Sequence, residues 1–210
     1  MRLYKVSIDG VIEAPQNPIK EVNAWLSSSP FEWAKRNYLV QPTSAQPHKK
    51  GPKFERDFCR RLSLWSSSGM DEDVFWRTPG SGARATTKGS DIEIGDIRLI
   101  PGKEHFGKWV LDIVVFELRD RDVSIGDIFT TPMKWFDETG RKCVKVGLQR
   151  MPVLIIKSGG CLLTFTHLAL IQGVVSNYLQ WGEHLGFFDF RDLFQVNPTI
   201  VRDYWSKLIS

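Results

Sequence analysis

Gly95-Asp96-Ile97 and Val114-Val115-Phe116-Glu117-Leu118-Arg119 are the two stretches on which the reading of this chain turns. The run from Val110 to Leu118 is almost unbroken in Val, Ile, Leu and Phe, which predicts a strand buried on both faces. Side chains alternate along a strand, so Glu117 and Arg119 should share the face of Leu111, Ile113 and Val115. Asp112 should point the other way with Val114 and Phe116. Upstream, Ile92 to Ile100 predicts a second strand with Asp96 on the face of Ile92 and Ile94, and the piece around Gly102 and Gly107 lets the chain turn back. The two strands are then expected to pair with Asp96 beside Glu117. Ionised carboxylates set among apolar side chains are unfavourable unless something compensates them, and a divalent cation is the simplest compensation. Hard oxygen ligands suit Mg2+ or Mn2+.

An Asp, a spacer of this length, then Glu-x-Lys closing an apolar strand resembles the PD-(D/E)XK, or restriction-endonuclease-like, nucleases. Upstream, Phe54-Glu55-Arg56-Asp57-Phe58-Cys59-Arg60-Arg61-Leu62 is similar to that superfamily's first helix, which often carries an extra acidic residue. Val74 to Arg84, with Gly80-Ser81-Gly82, looks like a strand and glycine-rich loop of phage-borne and prophage-borne members. The resemblance covers roughly residues 51 to 166, and it departs in one place: Arg119 stands where the family has lysine. It implies an α/β (α+β) fold with a restriction-endonuclease-like core, a central mixed sheet flanked by helices in the order α-β-β-β-α-β. It also implies an Mg2+- or Mn2+-dependent endonuclease acting on DNA. Asp96, Glu117 and the Leu118 carbonyl would be metal ligands, and Arg119 and Glu55 further members of the catalytic set. Arg77, Ser81, Arg84 and Lys88 would contact nucleic acid.

With 210 residues, the chain is long enough for one well-buried domain with an appendage. Apolar content of 42% and charged content of 25% are ordinary globular values, which argues against disorder and against a membrane class. Met1 to Gly10 is mixed and strand-like rather than a signal segment, so a cytoplasmic protein is expected. Cys59, Cys143 and Cys161 are odd in number and have no zinc spacing, which predicts reduced, packed thiols. A formal charge of +4 is compatible with a nucleic-acid partner without demanding one. Basic residues gather in three places: Lys49 to Arg61, Arg77 to Lys88, and Arg141 to Arg150. The plainer account is that such residues are simply solvated.

Along the chain, residues 1–50 read as an accessory segment with a strand at Leu3 to Ile8, a helix from Asn17 to Leu26 and a linker at Pro42 to Pro52. The core is assigned to 51–166 and a helical C-terminal extension to 167–210. Phe54, Phe58, Leu62 and Trp65 mark one stripe of an amphipathic helix, with Glu55 at its border. Glu55 is then either a third metal-shell carboxylate or a surface acid beside Arg56 or Arg60. Gly80-Ser81-Gly82-Ala83-Arg84-Ala85 matches a dinucleotide-binding pattern only superficially, because no apolar-periodic helix follows. Its glycines suit close approach of backbone N–H groups and Arg84 to a phosphate. Asp120 to Val146 predicts helix with Pro132 as a break or start, and Pro152 to Lys157 with Cys161 to Phe165 predict a hairpin. His167 to Gln180 and Pro198 to Ile209 predict two more helices, the second with a stripe of Val201, Tyr204, Trp205 and Leu208. His48, His105, His167 and His184 show no ligand spacing, and most of the eight Trp and thirteen Phe belong to the core.

Arginine stays protonated, so Arg119 can orient and donate but cannot act as a base. An active enzyme must then form metal-bound hydroxide by another route, for which a relocated lysine, Lys134, Lys142 or Lys145 on the following helix, is one candidate. The competing expectation is a non-catalytic descendant of the same fold that binds nucleic acid or a protein, in which Arg119, Asp96 and Glu117 form a salt-bridge cluster without metal. A nuclease cutting both strands would favour a homodimer.

Overall fold

The computed structural model describes residues 3–7, 10–12, 51–78, 95–121, 123, 131–145, 150–158, 161–181 and 183–208. Helix α1 (Gly51–Ser66) forms where the apolar stripe predicts it, and Phe54, Phe58, Leu62 and Trp65 are all buried. Phe58 lies at the centre of an aromatic nest, with ring centroids 5.8 Å from Phe116, 5.2 Å from Phe190 and 5.9 Å from Phe194.

The protein is mixed α+β. Strands β5 (Val114–Asp120), β6 (Met151–Ser158), β7 (Cys161–His167), β8 (Tyr178–Trp181) and β9 (Leu185–Asp189) make a mixed sheet in the order β8-β9-β7-β6-β5. The short strands β1 (Leu3–Ser7) and β2 (Gly10–Ile12) extend it beyond β8. Strands β5 and β6 are parallel, with Glu117 opposite Leu154, so their connection must cross the sheet. Helix α3 (Thr131–Lys145) lies in that crossover, with Pro132 in its first turn where its missing N–H is harmless. The expected hairpin is present, Val153 to Ser158 pairing antiparallel with Cys161 to Thr166.

Both sheet faces are covered, which explains why the strands read as continuous apolar runs. Val153 and Ile155 join the larger core with α1, while Leu154 and Ile156 join a second core with Phe136 of α3. All three cysteines are buried free thiols, as their spacing suggested.

Three expectations are corrected. Val110 to Leu118 is not one strand: helix α2 (Glu104–Leu111) occupies its first residues, Asp112 ends that helix, and the strand begins at Val114. The helix is started by Glu104, whose carboxylate accepts from Gly102 N at 3.0 Å, and Asp112 pairs with Lys108 one turn back. Gly107 lets α2 sit hard against the neighbouring strands, since a Cβ there would lie 2.5 Å from Leu99 Cδ1 and 2.7 Å from Val74 Cγ1. Secondly, His167 to Gln180 does not form a helix. A single turn at Leu168–Leu170 gives way to further turns and then to β8, consistent with β-branched Val174-Val175 and the turn-forming Ser176-Asn177. Residues 167–210 therefore contribute two strands as well as helices α4 (Phe190–Phe194) and α5 (Pro198–Ser206). The α5 stripe is as expected, with Val201 and Trp205 buried and Tyr204 and Leu208 packed on the core.

The third correction concerns the strands expected to flank β5. Strands β3 (Phe75–Arg77) and β4 (Ile97–Leu99) form their own antiparallel two-stranded ribbon, Trp76 opposite Arg98, rather than joining the main sheet. The order helix, three strands, helix, strand survives along the chain with α2 inserted. The expected helix at Asn17 to Leu26, the linker before Gly51 and the glycine-rich loop lie outside the described residues.

Candidate active site at the edge of the sheet

Among the described residues β5 is the last strand of the sheet, and the segment leading into the ribbon meets its edge at Asp96. Asp96 N donates to Phe116 O at 2.8 Å, and the Asp96 carboxylate accepts from Leu118 N at 2.7 Å. Asp96 O in turn accepts from Thr78 N at 2.9 Å. Gly95 makes this approach possible: its φ is +92°, and a Cβ there would lie 2.7 Å from Phe116 O. Glycine before the aspartate is thus a geometric requirement for bringing that carboxylate onto β5.

Asp96 and Glu117 are both buried, at 3% and 4% exposure. Burial, and then the Glu117 carboxylate, push Asp96 up to about 7; the Leu118 N–H and Arg119 oppose this, and the Glu55 charge adds to it. Asp96 makes no ion pair among the described residues, so its partners are dipolar and its like-charged neighbour remains.

Glu117 is differently placed. Its Oε1 is ion-paired with Arg119 and its Oε2 lies 3.5 Å from Lys142 Nζ. Alternation along β5 puts Glu117 and Arg119 on one face, as predicted, and that face meets α3. Arg119 is also set over the Trp135 ring, 5.8 Å from its centroid, by the same helix.

Of the three lysines considered as replacements on that helix, Lys142 is the one brought to Glu117; Lys134 is exposed, and the Lys145 side chain lies outside the described residues. Glu55, half-buried on α1, has its carboxylate 3.4 Å from Arg77 Nη1 rather than beside Arg56 or Arg60. Arg77, expected to contact nucleic acid, is therefore committed to Glu55 here. Ser81, Arg84 and Lys88 lie outside the described residues.

The chain matches no family model, no curated protein and no solved structure.

The donor types fit a small hard cation: Mg2+ is commonly held by one or two carboxylates with water completing its shell. Asp96 and Glu117 supply those carboxylates, and burial beside the Glu117 charge raises Asp96 against the opposing Arg119. No group of three or more His, Cys, Asp or Glu side chains converges on a common point among the described residues. The structure ties Leu118 to the site through its N–H, which donates to Asp96. Among the described residues no helix is long and apolar enough to cross a membrane.

Sequence reasoning missed Thr78. It is buried beside Asp96, and its hydroxyl has no hydrogen-bond partner among the described residues. Thr78-Pro79 reads from sequence only as the end of a strand, and no periodic signal marks the hydroxyl.

Proposed function

We propose that this chain is a metal-dependent nuclease that hydrolyses phosphodiester bonds in DNA, built on a restriction-endonuclease-like core. The observation that carries the reading is the pair of buried carboxylates, Asp96 and Glu117, brought from two different sheets to one strand edge, with Asp96 lacking a cationic partner among the described residues. Asp96 and Glu117 would hold Mg2+ or Mn2+. A cation bound there would supply Lewis-acid stabilisation of the negative charge that grows on a phosphate under attack, and would acidify water.

The remaining roles belong to the chain. Arg119, fixed by Glu117 and Trp135, can donate hydrogen bonds to phosphate oxygens but cannot release its proton. Lys142 can do both, being a lysine on a half-exposed arm that already reaches Glu117. We assign to it the proton-handling role that the family's lysine performs from the strand. A homodimer would present two such centres to the two strands of a duplex.

One observation favours a second reading. Both Glu117 oxygens face cations, which is also what a metal-free salt-bridge cluster in a non-catalytic binding protein would look like. The deciding experiment is cleavage of plasmid and single-stranded DNA by pure protein with Mg2+, Mn2+ or EDTA, run beside Asp96→Ala and Glu117→Ala. Metal-dependent cutting lost in both variants supports the nuclease. No cutting with any metal, together with DNA or protein binding that chelators leave unchanged, supports the second reading.

A further inference from the structure

The ribbon of β3 and β4 turns one face inward. Phe75 and Ile97 enter the core that α1 shares with Val114 and Phe116 of β5, and Arg77 meets Glu55 of α1. Side chains alternate along a strand, so Trp76 and Arg98, which stand opposite each other, project from the far face of the ribbon. Glu117, next to Phe116, projects from β5 on that same side of the protein, where it meets Lys142 of α3.

Trp76 is 39% exposed and is the one exposed Phe, Tyr or Trp among the described residues. Trp65, Trp109 and Trp205 each donate Nε1–H to a backbone carbonyl, whereas the Trp76 indole makes no hydrogen bond or ring contact among the described residues. A lone exposed apolar side chain means little by itself. Position distinguishes this one. Beyond the Arg77–Ile97 pair the ladder continues, Thr78 N donating to Asp96 O at 2.9 Å, so Asp96 stands diagonally next to Trp76 across the ribbon. Two residues along and one strand across amount to about 8–9 Å between their Cα atoms, a gap that one nucleotide bridges. A phosphate beside the Asp96 and Glu117 carboxylates therefore brings the base of an adjoining nucleotide to the indole.

We propose that Trp76 stacks on an unpaired base of the substrate, next to the phosphate held at Asp96 and Glu117. The place of that phosphate rests on the nuclease reading; the stacking names the substrate as a single strand, or a duplex opened at the cut. In an intact duplex both faces of every internal base are covered by its neighbours, so a ring at the protein surface finds no base to stack on. A strand with free bases offers a face at every nucleotide, and aromatic stacking tolerates any base. Sequence preference is therefore expected to be slight.

The test is fluorescence-anisotropy titration of the full chain, in EDTA and again with Ca2+, using a short labelled single strand, the same strand with abasic residues at its centre, and a blunt duplex of equal length. Trp76→Leu, which keeps apolar bulk without a flat ring, and Trp76→Phe, which keeps a ring, run beside the wild type, with Tm as the check on folding. Under the condition that binds the strand more tightly, the wild type should prefer the intact strand to both the abasic strand and the duplex. Trp76→Leu should weaken binding of the strand at least about fivefold, the lower end of what one stacked base contributes, while duplex binding and Tm stay unchanged. Trp76→Phe should retain most of the affinity. No binding of the single strand overturns the proposal, as does binding that Trp76→Leu leaves intact or weakens equally for strand and duplex. An abasic strand bound as tightly as the intact one also overturns it, and this comparison, made on the wild type, decides alone if Trp76→Leu lowers Tm. Cleavage with Mg2+ is read separately. Cutting without any effect of Trp76 removes the stacking role and keeps the nuclease, whereas the Trp76 effect without cutting under any metal removes the nuclease and keeps a surface for unpaired strands.

Discussion

Replacing Asp96 by asparagine should make the metal-free protein respond differently to pH, and the structure sets the size of the effect. Burial and the Glu117 charge lift the Asp96 carboxyl from its ordinary 3.8 to about 7. At about 1.4 kcal/mol for each tenfold change in proton affinity, folding with this group ionised is penalised by ~4 kcal/mol above pH 8. The sign follows from the direction. Because the folded state holds the proton more tightly, stability is greatest below the unfolded value near 4 and is lost as pH rises through about 7. At pH 5.5 only about half of that penalty is present, so ~2 kcal/mol should disappear from the wild type between pH 5.5 and pH 8. Asparagine keeps an acceptor for Leu118 N and does not titrate. Asp192, raised to about 6 by burial and by Asp189, and His167, lowered by burial and by His184, titrate in both proteins and cancel in the difference. The assay is urea unfolding of wild type and Asp96→Asn in EDTA at the two pH values. The stability advantage of the variant should grow by ~2 kcal/mol on going to pH 8. An advantage constant to within about 0.5 kcal/mol would mean that Asp96 is not a strained, buried carboxyl, and the case for a missing cation would fall with it.

Adding Mn2+ at pH 8 should raise the wild-type Tm and leave Asp96→Asn and Glu117→Gln little changed, as followed by thermal scanning fluorimetry. Lys142→Ala should abolish cleavage while altering stability by under about 1 kcal/mol, since the lysine end of the pair is more than half exposed and Arg119 still faces Glu117; Lys142→Arg should fail to rescue it if proton handling is the role. Gly95→Ala should destabilise the fold by ~2 kcal/mol or more, because φ of +92° and a 2.7 Å approach to Phe116 O leave no space for a methyl, and metal affinity should fall with it. Phe58→Ala, at the centre of the aromatic nest, should cost ~3–5 kcal/mol in chemical denaturation without changing metal affinity in the fraction that remains folded.

Much of this architecture could be read in advance where a single periodicity governed a stretch. Phe54, Phe58, Leu62 and Trp65 announced α1, the Ser158-Gly159-Gly160 break announced the β6–β7 hairpin, and the α3 position of Lys142 followed from the helix after the strand. Reading failed where composition was shared between states. Val110 and Leu111 are as apolar as the strand that follows them, and only the Glu104 start and the Lys108–Asp112 pair distinguish a helix there. At His167 to Gln180, apolar spacing suited a helix, while pairing with β9 drew Tyr178 to Trp181 into the sheet. The closeness of Asp96 to Glu117 was anticipated, but through strand pairing; the actual contact is one residue from a separate ribbon. No local pattern encodes that a cation from α3 and a cation from β5 would both meet Glu117.

The way Asp96 meets β5 has a consequence for solubility. An outermost strand offers a row of unpaired N–H and C=O groups to any passing chain, and β5, outermost among the described residues and largely apolar, is a template for runaway strand addition. With its carboxylate accepting from Leu118 N and its own backbone N–H donating to Phe116 O, Asp96 imitates one residue of a neighbouring strand and then lets the chain leave. The residue that brings a carboxylate to this strand thus also covers part of its edge. Asp96→Ala should therefore be prone to precipitate even where Asp96→Asn is well behaved, a difference that light scattering of the two purified variants would record.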